Sequence, residues 1–110
     1  MKKLPYVSSC DIVIGDVHGK SCRPIIGDKI ERILQKISYS VRRNIPYSGG
    51  YITQHYGQPD KKVHAVQLEI CRSLYLNTTT LQRGRGFEKT KNNMNHLISS
   101  FSNWLLKENF

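Results

Sequence analysis

The sequence predicts an α/β protein, a sheet with helices packed against it. Three patterns carry that expectation. The β-branched run DIVIG at residues 11–15 closes on a glycine, as buried strands often do. An apolar stripe of helical period follows it. A second strand pattern at 63–70 then precedes a second helical stripe at 87–106.

Taken in order, the first strand runs into a polar loop at 16–22 that contains Gly19. Pro24 suits the first turn of a helix, where its missing N–H costs nothing. Ile26, Ile30, Ile33, Leu34 and Ile37 then recur on one face, opposite Lys29, Arg32 and Lys36. Residues 38–42 are expected to return as a strand. Residues 46–50 must turn, since Gly49 and Gly50 can take backbone angles that other residues resist. A brief strand is expected at 51–53 and a loop at 57–62. In the strand expected at 63–70, His64, Val66, Leu68 and Ile70 share one face, while Val63, Ala65, Gln67 and Glu69 share the other. A loop at 77–86 leads to the closing helix, whose stripe is Phe87, Met94, Leu97, Ile98, Phe101, Trp104 and Leu105. An aromatic stripe of helical period reads as core rather than as a cofactor box.

At 110 residues the chain fits one domain, 1–110. Its 38% hydrophobic and 23% charged residues suit a folded protein rather than a disordered one. No apolar run approaches the ~20 residues that span a bilayer. The opening Met1-Lys2-Lys3 is followed by no apolar h-region, so a cytoplasmic location is expected and no membrane partner. Cys10, Cys22 and Cys71 are odd in number and lack CxxC spacing, which fits reduced thiols.

The net charge is +9. Seven basic residues oppose four acidic ones in 1–40, and five oppose two in both 41–81 and 82–110. A phosphate-binding stripe concentrates charge, whereas this spread is even, so nucleic acid is not the favoured partner.

Glu69 is the most informative candidate. With Leu68 and Ile70 on the buried face, its carboxylate either faces solvent on a one-sided sheet or lines a cleft as a general base. Pattern alone favours solvent. No pair among His18, His55, His64 and His96 has zinc-ligand spacing on one element. The loop G-x-x-x-GKS at 15–21 resembles a phosphate loop but is one residue short between its glycines, leaving only its backbone amides as an anion cradle. Arg42 and Arg43 are either solvated or a fork for a substrate carboxylate.

Together these pieces form an ordered series. It runs DIVIGD (11–16), GKSC (19–22), NIPYSGGYIT (44–53), HYGQP (55–59), VHAVQLEI (63–70) and LY (74–75), with Leu81 and Gly86-Phe87 before the closing helix. The series resembles the N-formylglutamate amidohydrolase family over about residues 10–106. The resemblance implies a three-layer α/β/α, zinc-carboxypeptidase-like (phosphorylase/hydrolase-like) fold. It also implies zinc-dependent hydrolysis of N-formyl-L-glutamate to formate and L-glutamate in histidine degradation. By this resemblance Glu69 is the general base and Gln67 supports it. Asn44, Tyr47, Gly49, Gly50 and Thr53 shape the substrate pocket, and Arg43 is a candidate for the substrate carboxylates.

The departure from the family lies at the N-terminus. Full-length members carry a preceding half with His-Ser-Gly, acidic and Asp-x-His-Ser segments that resemble zinc ligands. Only nine residues precede Cys10 here, none of them His, Asp or Glu. The chain is therefore expected to be the C-terminal part of such a domain, truncated at the N-terminus. It would bind no metal and no cofactor alone and be inactive by itself, as a remnant or a split subunit. Its partners would be a small acyl-amino-acid substrate and a companion chain carrying the other half, or further copies of itself. The alternative is a basic module that reuses the fold to bind nucleic acid or another acidic partner, motivated by the +9 charge and the aromatic segment 47–56.

Overall fold

A computed structural model describes residues 10–108. The segment 1–9, read above for an export signal and for metal ligands, lies outside them. The elements are β1 (Ile12–Gly15), α1 (Pro24–Lys36), β2 (Val41–Arg43), α2 (Tyr51–Tyr56), β3 (Gln67–Ile70) and α3 (Phe87–Leu106), with single 3-10 turns at Pro59–Lys61 and Arg72–Leu74. The sheet is mixed, in the order β2-β1-β3, with β2 parallel and β3 antiparallel to β1.

The central strand is buried along its length because it is paired on both edges and packed on its face. Ile12 and Ile14 have no exposed surface. They meet Ile26, Ile30, Ile33 and Leu34 of α1 and Leu97 of α3 in one cluster. Each such aliphatic side chain contributes roughly 2 kcal/mol on leaving water. α1 starts as the sequence predicts, with Pro24 in its first turn after an extended Arg23, and Lys36 in its last turn complements the helix dipole. α3 lies across α1, placing Met94, Phe101 and Trp104 against the cluster. Both long helices thus cover the Ile12/Ile14 face.

Three expectations change. Residues 51–53 are helical, not extended. Gly50 serves as the N-cap, Gln54 N donates to the Gly50 carbonyl (3.0 Å), and Gly57 closes the helix on Thr53 (3.1 Å). The strand expected at 63–70 is only Gln67–Ile70, because β1 has just four residues to offer as partners. Before it, Val63 makes an isolated bridge to Gln58 and Ala65 N donates to the Ser21 carbonyl. Finally, Ile98 is 62% exposed, so the inward stripe of α3 is narrower than its apolar content suggests.

Candidate functional site

Strand register sorts the candidates onto two faces. Val13 lies opposite both Arg42 and Glu69, and Gly15 lies opposite Gln67. Side chains alternate along a strand, so Gln67 and Glu69 share the face turned away from α1 and α3. Ile14 lies opposite Arg43 and Leu68, which puts Arg43 on the helix side. Neighbouring arginines in β2 thus serve opposite faces.

On the face turned away from α1 and α3 the loop 44–50 crosses the carboxyl end of β1, where open α/β sheets tend to place ligands. Three contacts fix its path. Val17 N donates to the Ser48 carbonyl at 2.7 Å. Gly15 accepts the loop in van der Waals contact, since a Cβ there would fall 2.8 Å from the Ser48 carbonyl carbon. Gly49, at φ 138°, passes over Thr53 in a conformation that L side chains rarely adopt. The end of the loop is then tied to β3. Gly50 N donates to Gln67 Oε1 at 2.9 Å, and Gln67 Nε2 donates to Glu69 Oε1 at 3.0 Å. Gln54 Nε2 adds a bond to the Gly49 carbonyl at 2.8 Å.

The start of the loop is tied to β1 through Asp16, a carboxylate with 1% exposure. Asp16 Oδ1 accepts from Gly19 N (3.0 Å) and from Asn44 Nδ2 (2.9 Å), while Oδ2 accepts from Arg43 (3.0 Å). Asn44 answers with its own oxygen, accepting from Asp16 N at 3.0 Å and His18 N at 3.3 Å. Asn44 sits at φ 66°, a left-handed conformation that asparagine tolerates better than most residues. Burial alone would push the Asp16 carboxyl up. The bonds from Asn44, Gly19 and Arg43, with the guanidinium charge, outweigh that and hold it below its ordinary 3.8.

Arg43 extends this network into α1, meeting Asp28 at 2.8 Å and Glu31 at 3.2 Å. Its guanidinium crosses Gly27, where any Cβ would collide with it. Burial disfavours the charge, but the three carboxylates more than restore it. Arg43 is thus engaged by the protein's own carboxylates, on the opposite face of the sheet from Glu69.

The remaining candidates fall into place around the loop. Tyr47 is about half exposed on it, Thr53 is buried beneath Gly49, and Glu69 is exposed, with only its Oε1 bonded among the described residues. Asn44, Tyr47, Gly49, Gly50, Thr53, Gln67 and Glu69 therefore form one neighbourhood, and Arg43 stands behind it. Asp16 was not singled out by the sequence. Its one signal was a carboxylate directly after a buried strand. The loop 17–21 is not an anion cradle, because each of its amides already has an intramolecular acceptor. A cavity of about 210 Å³ lies between Val17, Lys20, Ser21 and Gln54, and an apolar one of about 230 Å³ between Ile26, Val66, Phe101 and Leu105, with Lys62 and His64.

Residues 2–76 match the family model described as N-formylglutamate amidohydrolase. The chain belongs to this family. Among curated relatives it is 34% identical to the N-formylglutamate deformylase of Pseudomonas aeruginosa over 97 residues, which are 86% of this chain and 36% of that protein. It is 39% identical to the N-formylglutamate deformylase of Pseudomonas putida over 70 residues, 63% of this chain and 26% of that one. The crystal structure of N-formylglutamate amidohydrolase from Ralstonia eutropha JMP134 superposes with a TM-score of 0.85 at 32% identity, covering 89% of this chain and 35% of the neighbour. The chain thus spans about a quarter to a third of the length of these relatives.

Proposed function

We propose that the chain carries the general-base side of an N-formylglutamate amidohydrolase site, with Glu69 as the base. The observation behind this reading is the chain of bonds from loop 44–50 through Gln67 to Glu69, on a sheet face that no long helix covers. Gln67 orients one carboxylate oxygen and leaves the other to accept a proton from a water attacking the formyl carbon. The same proton would then pass to the nitrogen of glutamate as the C–N bond breaks. A positioned base of this kind contributes roughly 10²–10⁴-fold to rate. Tyr47 and the backbone of Gly49 and Gly50 would line the approach of a small acyl-amino acid. Asn44 would act by fixing the loop rather than by touching substrate.

Zinc is the metal the family resemblance implies. Among the described residues no group of three or more His, Cys, Asp or Glu side chains comes together to hold a metal ion, so they do not furnish a zinc site. In this reading the metal ligands and the third layer of an α/β/α sandwich come from the part of the fold that this chain does not span, and the chain is inactive alone in the cytoplasm.

Formate release from N-formyl-L-glutamate tests the reading. The 110-residue chain alone should release none. Co-expression with the part of the P. aeruginosa deformylase outside its match should restore release, and Glu69→Gln should then lower it at least 100-fold. Turnover by the chain alone, or full activity with Glu69→Gln, would refute it.

A further inference from the structure

α2 does very little for the fold it belongs to. Of its six residues only Thr53 is buried. Tyr51 is 73% exposed, Ile52 70% and Tyr56 58%, and the loop leading into the helix adds Ile45 and Tyr47, each about half exposed. Five large apolar side chains within twelve residues thus face solvent on one segment. Scattered exposed hydrophobics need no explanation, but a contiguous group of this kind marks an interaction surface. Tyr51 and His55 stack at 5.1 Å, and Tyr56 meets His55 edge-on at 4.7 Å, so the helix presents rigid rings rather than loose chains. Rigid aromatic anchors lose little entropy on docking.

Two observations indicate what docks there. The superposed relative is nearly three times longer than the matched region, so this fold unit has a large polypeptide neighbour in that protein. The patch is also continuous with the candidate site, because α2 begins at Gly50, the residue tied through Gln67 to Glu69. Lysines stand near it. Lys20 shares a cavity wall with Gln54 of α2, and exposed Lys61 lies in the next turn, beside exposed Asp60.

We propose that α2 and the loop before it are the docking face for the polypeptide carrying the portion of the family fold that this chain does not span, with apolar residues at its centre and a carboxylate facing Lys20 at its rim. This rests on the companion-chain reading above and adds the surface that reading requires. Docking there would set the partner's residues beside Glu69 and shield its approach from bulk solvent.

The test co-expresses the 110-residue chain with the part of the P. aeruginosa deformylase outside its 97-residue match. Wild-type chain should render that fragment soluble and co-purify with it. Ile52→Asp and Tyr51→Asp should weaken capture at least tenfold while the far-UV circular dichroism of the chain is kept. Ile98→Asp, an equally exposed position on α3, should capture as well as wild type. Normal capture by Ile52→Asp and Tyr51→Asp would overturn this surface and leave the companion reading standing. A fragment that stays insoluble beside the wild-type chain would overturn both. Two further outcomes would reassign the face and sink the proposal. One is a homodimer broken by Ile52→Asp. The other is salt-sensitive binding of single-stranded RNA lost with Tyr51→Asp.

Discussion

Gln67 holds Glu69 with one end of its amide and the 44–50 loop with the other. Nε2 donates to Glu69 Oε1 at 3.0 Å, and Oε1 accepts from Gly50 N at 2.9 Å. The side chain couples the position of the loop to that of the carboxylate. Gln67→Leu keeps comparable bulk and removes both bonds. The Gly50 amide should then exchange with solvent faster, and stability should fall by about 1 kcal/mol, the usual net worth of such bonds. Native-state hydrogen exchange reads the first effect and urea unfolding the second. Unchanged exchange at Gly50 would show that the loop is held by other means.

The Arg43 network predicts an uneven response to substitution. Arg43→Leu leaves the buried Asp16 carboxylate without its cation and should destabilise by about 3 kcal/mol. Asp28 is a different case. Its side chain is 56% exposed, so Asp28→Ala should cost under about 1 kcal/mol. Urea midpoints of the two variants would separate these outcomes, and equal losses would contradict the assignment.

Acid stability follows from Asp16. Its folded carboxyl lies below the ordinary 3.8, so the unfolded chain takes up the proton first. The contribution is complete above about pH 4, near the ordinary aspartate value, and is lost as pH falls through the lowered folded value. Asn44→Ala removes one of the bonds that lower it and should move the acid unfolding midpoint to higher pH. Circular dichroism across pH 2–5 would measure it. A midpoint moved downward would be the wrong sign.

The thiols should separate by reactivity. Burial first, and then the Asp16 charge, push the Cys22 thiol up to about 11, so little thiolate is present at pH 8. Cys71 is exposed. Iodoacetamide should label Cys71 in the native chain and Cys22 only after unfolding, as intact mass would record. Native labelling of Cys22 would indicate that the core opens readily.

β1, α1 and α3 were legible because each buries a face long enough to leave a period in the sequence. α2 was not, because a helix that buries only Thr53 leaves no period, and Tyr-Ile-Thr alone has strand propensity. The neighbourhood around Glu69 was reached through motif order. The engagement of Arg43 was invisible, since its partners lie 12 to 27 positions away in the chain. An arginine next to an asparagine carries no local sign of the distant carboxylates that engage it.

Asp16 is read by two consecutive residues, Arg43 at one carboxylate oxygen and Asn44 at the other. β2 is only three residues long and begins the sequence Val-Arg-Arg-Asn, so a shift by one position would still offer an arginine to the carboxylates. It would also put Arg43 where Asn44 belongs. An arginine has no acceptor for the amides of Asp16 and His18. The asparagine therefore proofreads the alignment of β2, rejecting a pairing that charge alone would accept.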